Sequence, residues 1–319
     1  MAPNDSMTFR TSRAPRAPEG ADQADAQVVP LILHRPAPAA TDPSPSIAPA
    51  PHPQDAATAD DEAAPLHPAA VTAPARGGKL YLVARSRGGV GATTFAVNLA
   101  LALRQRDRRT PRSVAIVDLD LQFGTVASAL DMTDRGGLLA LAQLDHDPDQ
   151  HAIRAALQTH DSGLGVLPAP RRPVPLDALD AARAEAIFAA LLATHDAVVA
   201  DLPPALIDWL EPLLRRSDRL FMVTDLAVTS VDCARRILDT FREDAPGLVV
   251  ETVVSRERKP FFTGRVEREI AKVLDQPLTH WLPADPKRAR LALDRGEPMV
   301  ALAPHCGWSR RLRKIVGTL

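Results

Sequence analysis

The sequence is short of thiols, of long apolar runs and of net charge, and each shortage excludes a class of protein. Cysteine occurs only at Cys233 and Cys306, far apart and with no second thiol at metal-ligand spacing. A disulfide framework or a zinc site is therefore not expected, and two reduced thiols suit a cytoplasmic setting. No stretch reaches the ~20 apolar residues of a membrane span. The polar N-terminal residues 1–16 have no apolar leader core, so a cytoplasmic protein is expected. Lys and Arg number 38 against 39 Asp and Glu, a formal net charge of −1. That balance gives no global attraction to nucleic acid or to an anionic membrane.

Proline is unevenly spread. Of 30 prolines, nearly half precede Lys79. Residues 1–78 are rich in Ala, Pro, Asp and His, bury too little apolar surface to offset their ordering entropy, and are expected to be disordered. The apolar island Val28–His34 reads better as incidental than as a docking segment. From Lys79 the texture changes. Leu80–Ala84, Val114–Val117, Ala197–Ala200, Leu220–Val223 and Leu248–Val250 (extended by Thr252–Val254) read as buried strands. Phe95–Leu103, Leu176–Thr194 and Ser230–Phe241 read as helices. Alternating strands and helices imply a mainly parallel sheet with helices on both faces, an α/β three-layer sandwich over residues 79–319. Ligands of such sheets sit at the carboxyl ends of the strands.

At the end of the first strand lies Ser86-Arg87-Gly88-Gly89-Val90-Gly91-Ala92-Thr93-Thr94. This is the strand–turn–helix setting of a P-loop. Gly88, Gly89 and Gly91 let backbone amides converge on an anion, and the helix that follows turns its positive end to the same point. Thr93 stands where a hydroxyl would hold Mg²⁺, and Thr94 where one would bond a phosphate oxygen. The usual lysine position is Ala92. Losing that charge-assisted bond should weaken nucleotide binding by about one to two powers of ten, and it removes electrostatic help for phosphoryl transfer. Two further strands end in carboxylates: Asp118 and Asp120 in Val117–Gly124, projecting to one side if the strand continues, and Asp201 after Val198–Ala200. Asp201 is where a Walker-B-type carboxylate would support Mg²⁺.

These residues resemble the deviant-Walker-A ATPases of the MinD/ParA family, with a P-loop NTPase-like fold. Within it the chain looks most like the CpaE/TadZ proteins of Flp/Tad pilus assembly, which carry degenerate loops and a phrase like Asp118-Leu119-Asp120-Leu121-Gln122-Phe123-Gly124. The likeness runs through Leu282-Pro283-Ala284-Asp285 to Leu319. The receiver-like domain those proteins often carry is replaced by the Pro-rich tail. The resemblance implies ATP or ADP bound by Arg87, Gly88, Gly89, Val90, Gly91, Ala92, Thr93 and Thr94. It implies Mg²⁺ at Thr93, Asp118 and Asp201, with Asp120 as the catalytic residue that orients water. Arg87 stands where the family lysine crosses a dimer interface, and it either reaches a phosphate in trans or pairs with a carboxylate. Where relatives have an adenine-reading Asn, this chain has Val253-Val254-Ser255-Arg256. The implied protein is a cytoplasmic homodimer, polar or peripheral at the inner membrane face, that localises pilus or secretion machinery with weak or no ATP hydrolysis. An active partition or positioning ATPase, a nucleotide-free scaffold and a cellulose-secretion accessory protein are the alternatives.

Three other features read as structural. Leu312, Ile315 and Val316 in His305–Leu319 are spaced to pack on a core, a better reading than a membrane-resting basic helix. The basic runs Arg256–Lys259 and Lys287–Arg290 read as surface charge, so DNA is not an expected partner. His195 and His305 have no partner at catalytic spacing.

Overall fold

The computed structural model describes residues 77–107 and 110–319. The expectations for residues 1–76, the Val28–His34 island among them, lie outside the described residues. The described elements are β1 (Lys79–Arg85), α1 (Ala92–Arg104), β2 (Val114–Asp118), α2 (Gly137–Ala142), α3 (Gln150–Ala156), β3 (Gln158–Thr159), β4 (Gly165–Leu167), α4 (Ala181–Thr194), β5 (Ala197–Asp201), α5 (Glu211–Arg216), β6 (Arg219–Thr224), α6 (Val228–Asp244), β7 (Val250–Arg256), α7 (Arg265–Leu274), β8 (His280–Pro283), α8 (Pro286–Arg295), α9 (Met299–Leu302) and α10 (Gly307–Val316).

The strands form one sheet in the order β3-β4-β2-β5-β1-β6-β7-β8. Every neighbouring pair is parallel except β3 with β4. Side-chain alternation along each strand builds two cores. Leu80, Leu82, Val117, Val198 and Leu220 face one core with α4 and α6. Tyr81, Val83, Ile116, Val199 and Phe221 face the other with α1 and α10. This is the expected three-layer α/β sandwich with a P-loop NTPase-like, mainly parallel sheet.

Element ends differ from the sequence reading in places. The helix expected from Leu176 begins at Ala181, because the Asp180 carboxylate caps it by accepting from Arg183 N at 2.7 Å. Leu176–Ala178 is a separate 3-10 turn. Strand β7 begins at Val250, with Leu248 and Val249 before it. Strands β3, β4 and β8 have at most four residues each, too short for a period to show.

The last helices close the second core. Trp308, Leu312, Ile315 and Val316 of α10 are buried, as their spacing predicts. Among the described residues no helix is long and apolar enough to cross a membrane. Asn98, buried in α1, ties this C-terminal layer to that helix. Its Oδ1 accepts from Val300 N at 2.9 Å and its Nδ2 donates to Thr94 O at 2.8 Å. Asn98→Leu should leave the Val300 amide unpaired at a cost of about 2 kcal/mol, lowering Tm by about 5 °C in a thermal melt. An unchanged melt would show that this link carries no stability.

Candidate functional site

Strands β2 and β5 end flush: Asp118 lies opposite Asp201 in the register. Strand β1 passes beside β5 and runs two residues beyond it, to Arg85. The sheet therefore delivers Asp118, Asp120 and Asp201, all buried, to one edge, with a guanidinium next to them.

Each carboxylate is compensated differently. Asp118 is turned into the chain: its Oδ1 accepts from Asp120 N at 3.2 Å and its Oδ2 from Val126 N at 2.9 Å. Strand β2 stops at Asp118, so the continuing strand that would aim Asp118 and Asp120 alike is not formed. Instead residues 119–126 wrap the Asp118 carboxylate. Gly124 is required there, because a Cβ would lie 2.5 Å from Asp118 Oδ2 and 2.3 Å from Ala169 Cβ. Asp120 accepts from Phe123 N at 3.0 Å through Oδ1, and its Oδ2 lies 3.5 Å from Arg85 Nη1. Asp201 Oδ2 accepts from Thr93 Oγ1 at 2.5 Å and lies 3.3 Å from Arg85 Nη2. Arg85 Nη2 also donates to Leu202 O at 2.9 Å.

Burial dominates the electrostatics. It pushes Asp118 up to about 7, reinforced by the charge of Asp201 and opposed by the Val126 and Asp120 amides. It pushes Asp201 up to about 6, opposed by the Arg85 charge and the Thr93 hydroxyl.

The glycine turn takes the expected form. Gly89 and Gly91 have φ of 77° and 94°, the left-handed region that glycine adopts without a Cβ penalty. The first backbone bond of α1 runs from Phe95 N to Gly91 O at 2.9 Å. The amides of Ala92, Thr93 and Thr94 thus stand ahead of the helical ladder. Ala92 is buried at the first helical position, while Arg87, Gly88 and Gly89 are exposed. Arg87 is held in its own chain, Nη2 to Asp225 Oδ2 at 2.5 Å and Nε to Ser230 Oγ at 2.6 Å. Burial raises the Asp225 carboxyl, but the Ser230 hydroxyl, the Ala227 amide and Arg87 together bring it below its ordinary value. Arg256, at the end of β7 with φ of 65°, donates to the Gly89 carbonyl. It is thus a clasp on the turn and not plain surface charge.

A cavity of about 690 Å³ opens in front of the turn. Gly89 to Thr94, Arg85, Arg87 and Arg256 line one part. Pro283, Ala284, Pro286, Ala289, Leu293 and Met299 line an apolar part. Ser255 also lines the cavity, with its Oγ 3.6 Å from where a Gly91 Cβ would stand. The cavity occupies the carboxyl edge of the sheet, as the parallel-sheet rule requires. His195 lies at the opposite edge, before β5, where burial lowers its pKa.

Of the residues expected at the site, Arg87 and Gly89 to Thr94 line the cavity, with Gly88 in the same turn. Thr93 meets Asp201, and Asp120 lies beside both through Arg85, while Asp118 faces backbone amides. The sequence reading missed Arg85 and Asp225. The signal for Arg85 was present: a charged residue ending an apolar strand directly before a glycine turn.

The model of the AAA domain family matches residues 78–245, more than half of the 319-residue chain. The chain belongs to this family. It is similar to an uncharacterized ATP-binding protein of Methanocaldococcus jannaschii, 24% identical over 243 residues, covering 74% of this chain and 86% of that one. It shares its fold with a ParA family ATPase from Chlorobium tepidum (TM-score 0.68, 20% identity, 76% of this chain and 98% of that one). It also shares it with the septum site-determining protein MinD from Pyrococcus horikoshii, solved with Mg-ADP (TM-score 0.60, 19% identity, 76% and 95%). The MinD/ParA fold expected from the loop and the strand-end carboxylates is therefore the fold of this AAA domain protein.

The raised Asp118 pKa has a testable sign. A carboxyl whose folded pKa exceeds its unfolded value stabilises below the unfolded pKa, near 4. It loses that contribution as pH rises through the folded value of about 7. Asp118→Asn has no such charge to bury. Its Tm relative to wild type should rise between pH 5 and pH 8, by on the order of 5 °C. A difference constant with pH would show that Asp118 is ionised in the fold throughout.

Proposed function

We propose that this AAA domain protein is a MinD/ParA-type nucleotide-binding protein that takes ATP or ADP at the glycine turn and hydrolyses ATP slowly or not at all. The observation that carries this reading is the cavity itself. A left-handed glycine turn, a helix N-terminus, Thr93 and Thr94 present phosphate-binding groups on one side. An apolar wall after β8 is suited to the face of a base on the other. Ala92 at the first helical position supplies no ammonium, which favours binding over turnover. The Mg-ADP in Pyrococcus horikoshii MinD supports the choice of ligand by shared fold.

Calorimetric titration of ATP and ADP tests it, with expected Kd values of roughly 10–100 µM. Ala92→Lys should tighten ATP binding by about tenfold, the return of one charge-assisted bond. No heat with either nucleotide would remove the reading.

The finer role is a localisation factor for Flp/Tad pilus assembly, acting as a homodimer on secretion machinery. It rests on the phrase Asp118–Gly124, whose glycine packs on the Asp118 carboxylate. Arg87 is held by Asp225 and Ser230 of its own chain. This favours a localisation factor over a partition ATPase with a trans-acting arginine. Deleting the gene should abolish surface pili in the source organism while leaving plasmid and chromosome segregation normal. Normal piliation would refute the finer role and leave nucleotide binding untouched.

A further inference from the structure

A phosphate turn of this kind normally shares its ligand with a divalent ion, held by the turn's hydroxyl and, through water, by a carboxylate at the end of a nearby strand. In this chain those two groups are Thr93 and Asp201. They are already closed on each other, with Thr93 Oγ1 donating to Asp201 Oδ2 at 2.5 Å. The same Asp201 oxygen lies 3.3 Å from Arg85 Nη2. Arg85 Nη1 lies 3.5 Å from Asp120 Oδ2, while Asp120 Oδ1 accepts from Phe123 N. The third, Asp118, spends both oxygens on amides.

Asp201 Oδ2 is therefore taken up by Thr93 and Arg85, and the one free oxygen of the pair, Asp201 Oδ1, is buried without a hydrogen-bond partner, which leaves Mg²⁺ too few donors on the side of the turn. That ion demands a near-octahedral shell of oxygens. Here the oxygens of Asp120 and Asp201 that lie toward the turn already face a guanidinium, whose positive charge repels a divalent cation at the same point. Arg85 is not a closed structural pair either. Its side chain lines the cavity beside Thr93 and Thr94, and its position is fixed by the Leu202 carbonyl at 2.9 Å. A guanidinium is always charged and presents a planar fork of donors suited to phosphate oxygens.

We infer that Arg85 stands in for the divalent ion, so that the cavity binds the polyphosphate of a nucleoside di- or triphosphate without metal. This rests on the nucleotide reading above. The positive charge removed from the helix at Ala92 is not lost from the site; one is supplied from the end of β1. The consequence is a nucleotide affinity that does not depend on magnesium. The guanidinium cannot dissociate, and it cannot move with a leaving phosphate as a bound ion can. Such a site holds a nucleotide without being set up to cleave it.

The test is an ADP and ATP titration of the full chain in excess EDTA and in excess Mg²⁺, joined to a Mn²⁺ titration of the protein alone and with ADP, followed by electron paramagnetic resonance. Wild-type affinity should agree within about threefold between the two buffers, and no protein-bound Mn²⁺ signal should appear. Arg85→Ser should bind ADP at least about tenfold more weakly in EDTA and recover with Mg²⁺. It should also gain a Mn²⁺ site that a further Asp201→Asn change removes. Arg85→Lys keeps the charge, should retain metal-independent binding, and guards against a misfolded serine variant.

A wild-type affinity more than about tenfold weaker in EDTA would overturn the inference. So would a wild-type Mn²⁺ site lost in Asp201→Asn. If neither nucleotide binds in either buffer, the nucleotide reading fails. The Mn²⁺ titration of the protein alone then still decides whether Arg85 excludes the ion.

Discussion

The carboxyl edge of the sheet gathers three buried carboxylates, and most of the local structure answers that crowding. Asp118 and Asp201 face each other across adjacent strands, and Asp120 follows two residues on. Buried negative charge at this density is unfavourable unless each group is paired or kept protonated. The chain uses three devices. The 119–126 segment folds its amides onto Asp118, Thr93 donates to Asp201, and Arg85 reaches between Asp120 and Asp201. The first explains why a glycine sits at position 124. The second fixes the first turn of α1 against β5, and so the direction in which the turn's amides point. The third puts a permanent cation under the phosphate turn.

From that edge the constraint spreads outward. The turn hangs between β1 and α1 and is fastened from two sides. Arg256 reaches back from β7 to the Gly89 carbonyl, and Arg87 reaches forward to Asp225 and Ser230 after β6. Both contacts are made by arginine side chains, one of them to a glycine carbonyl, so the turn's backbone freedom is limited from neighbouring strand ends. Arg256 adopts a left-handed φ of 65° to do so, a conformation uncommon outside glycine, Asn and Asp. Behind α1, Asn98 joins the same helix to α9. Helix α1 is thus bonded to the sheet at its start and to the C-terminal layer one turn later.

Much of this was legible before any coordinates. The five long strands are apolar runs buried on both faces, and such runs stand out without alternation. The glycine turn is marked by residue type and by its place after the first run. The C-terminal helix shows its core face at Leu312, Ile315 and Val316. What was not legible depends on three-dimensional pairing. A strand of two to four residues carries no period, which hid β3, β4 and β8. Asp118 and Asp120 look equivalent in the string. They diverge because β2 ends between them and residues 119–126 spend two amides on Asp118 but only one, Phe123 N, on Asp120, whose other oxygen lies toward Arg85. Arg85 could be noticed as a charge ending an apolar run. Its partners lie 35 and 116 positions away in sequence numbering, and only the order β2-β5-β1 brings them together.

That strand order also explains why the missing lysine did not leave a vacancy of charge. A cation at position 92 would project from the helix toward the terminal phosphates, where charge develops during transfer. A cation at position 85 projects from the sheet toward the carboxylates, where a metal would neutralise the ground-state polyphosphate. The two placements are alike in total charge and different in effect. The first strengthens with progress along the reaction, and the second acts equally on bound nucleotide before and after it. Binding energy spent uniformly on substrate and transition state lowers the dissociation constant without raising the rate. A site with its cation on the strand end and none on the helix would therefore, on the nucleotide reading, favour occupancy over turnover.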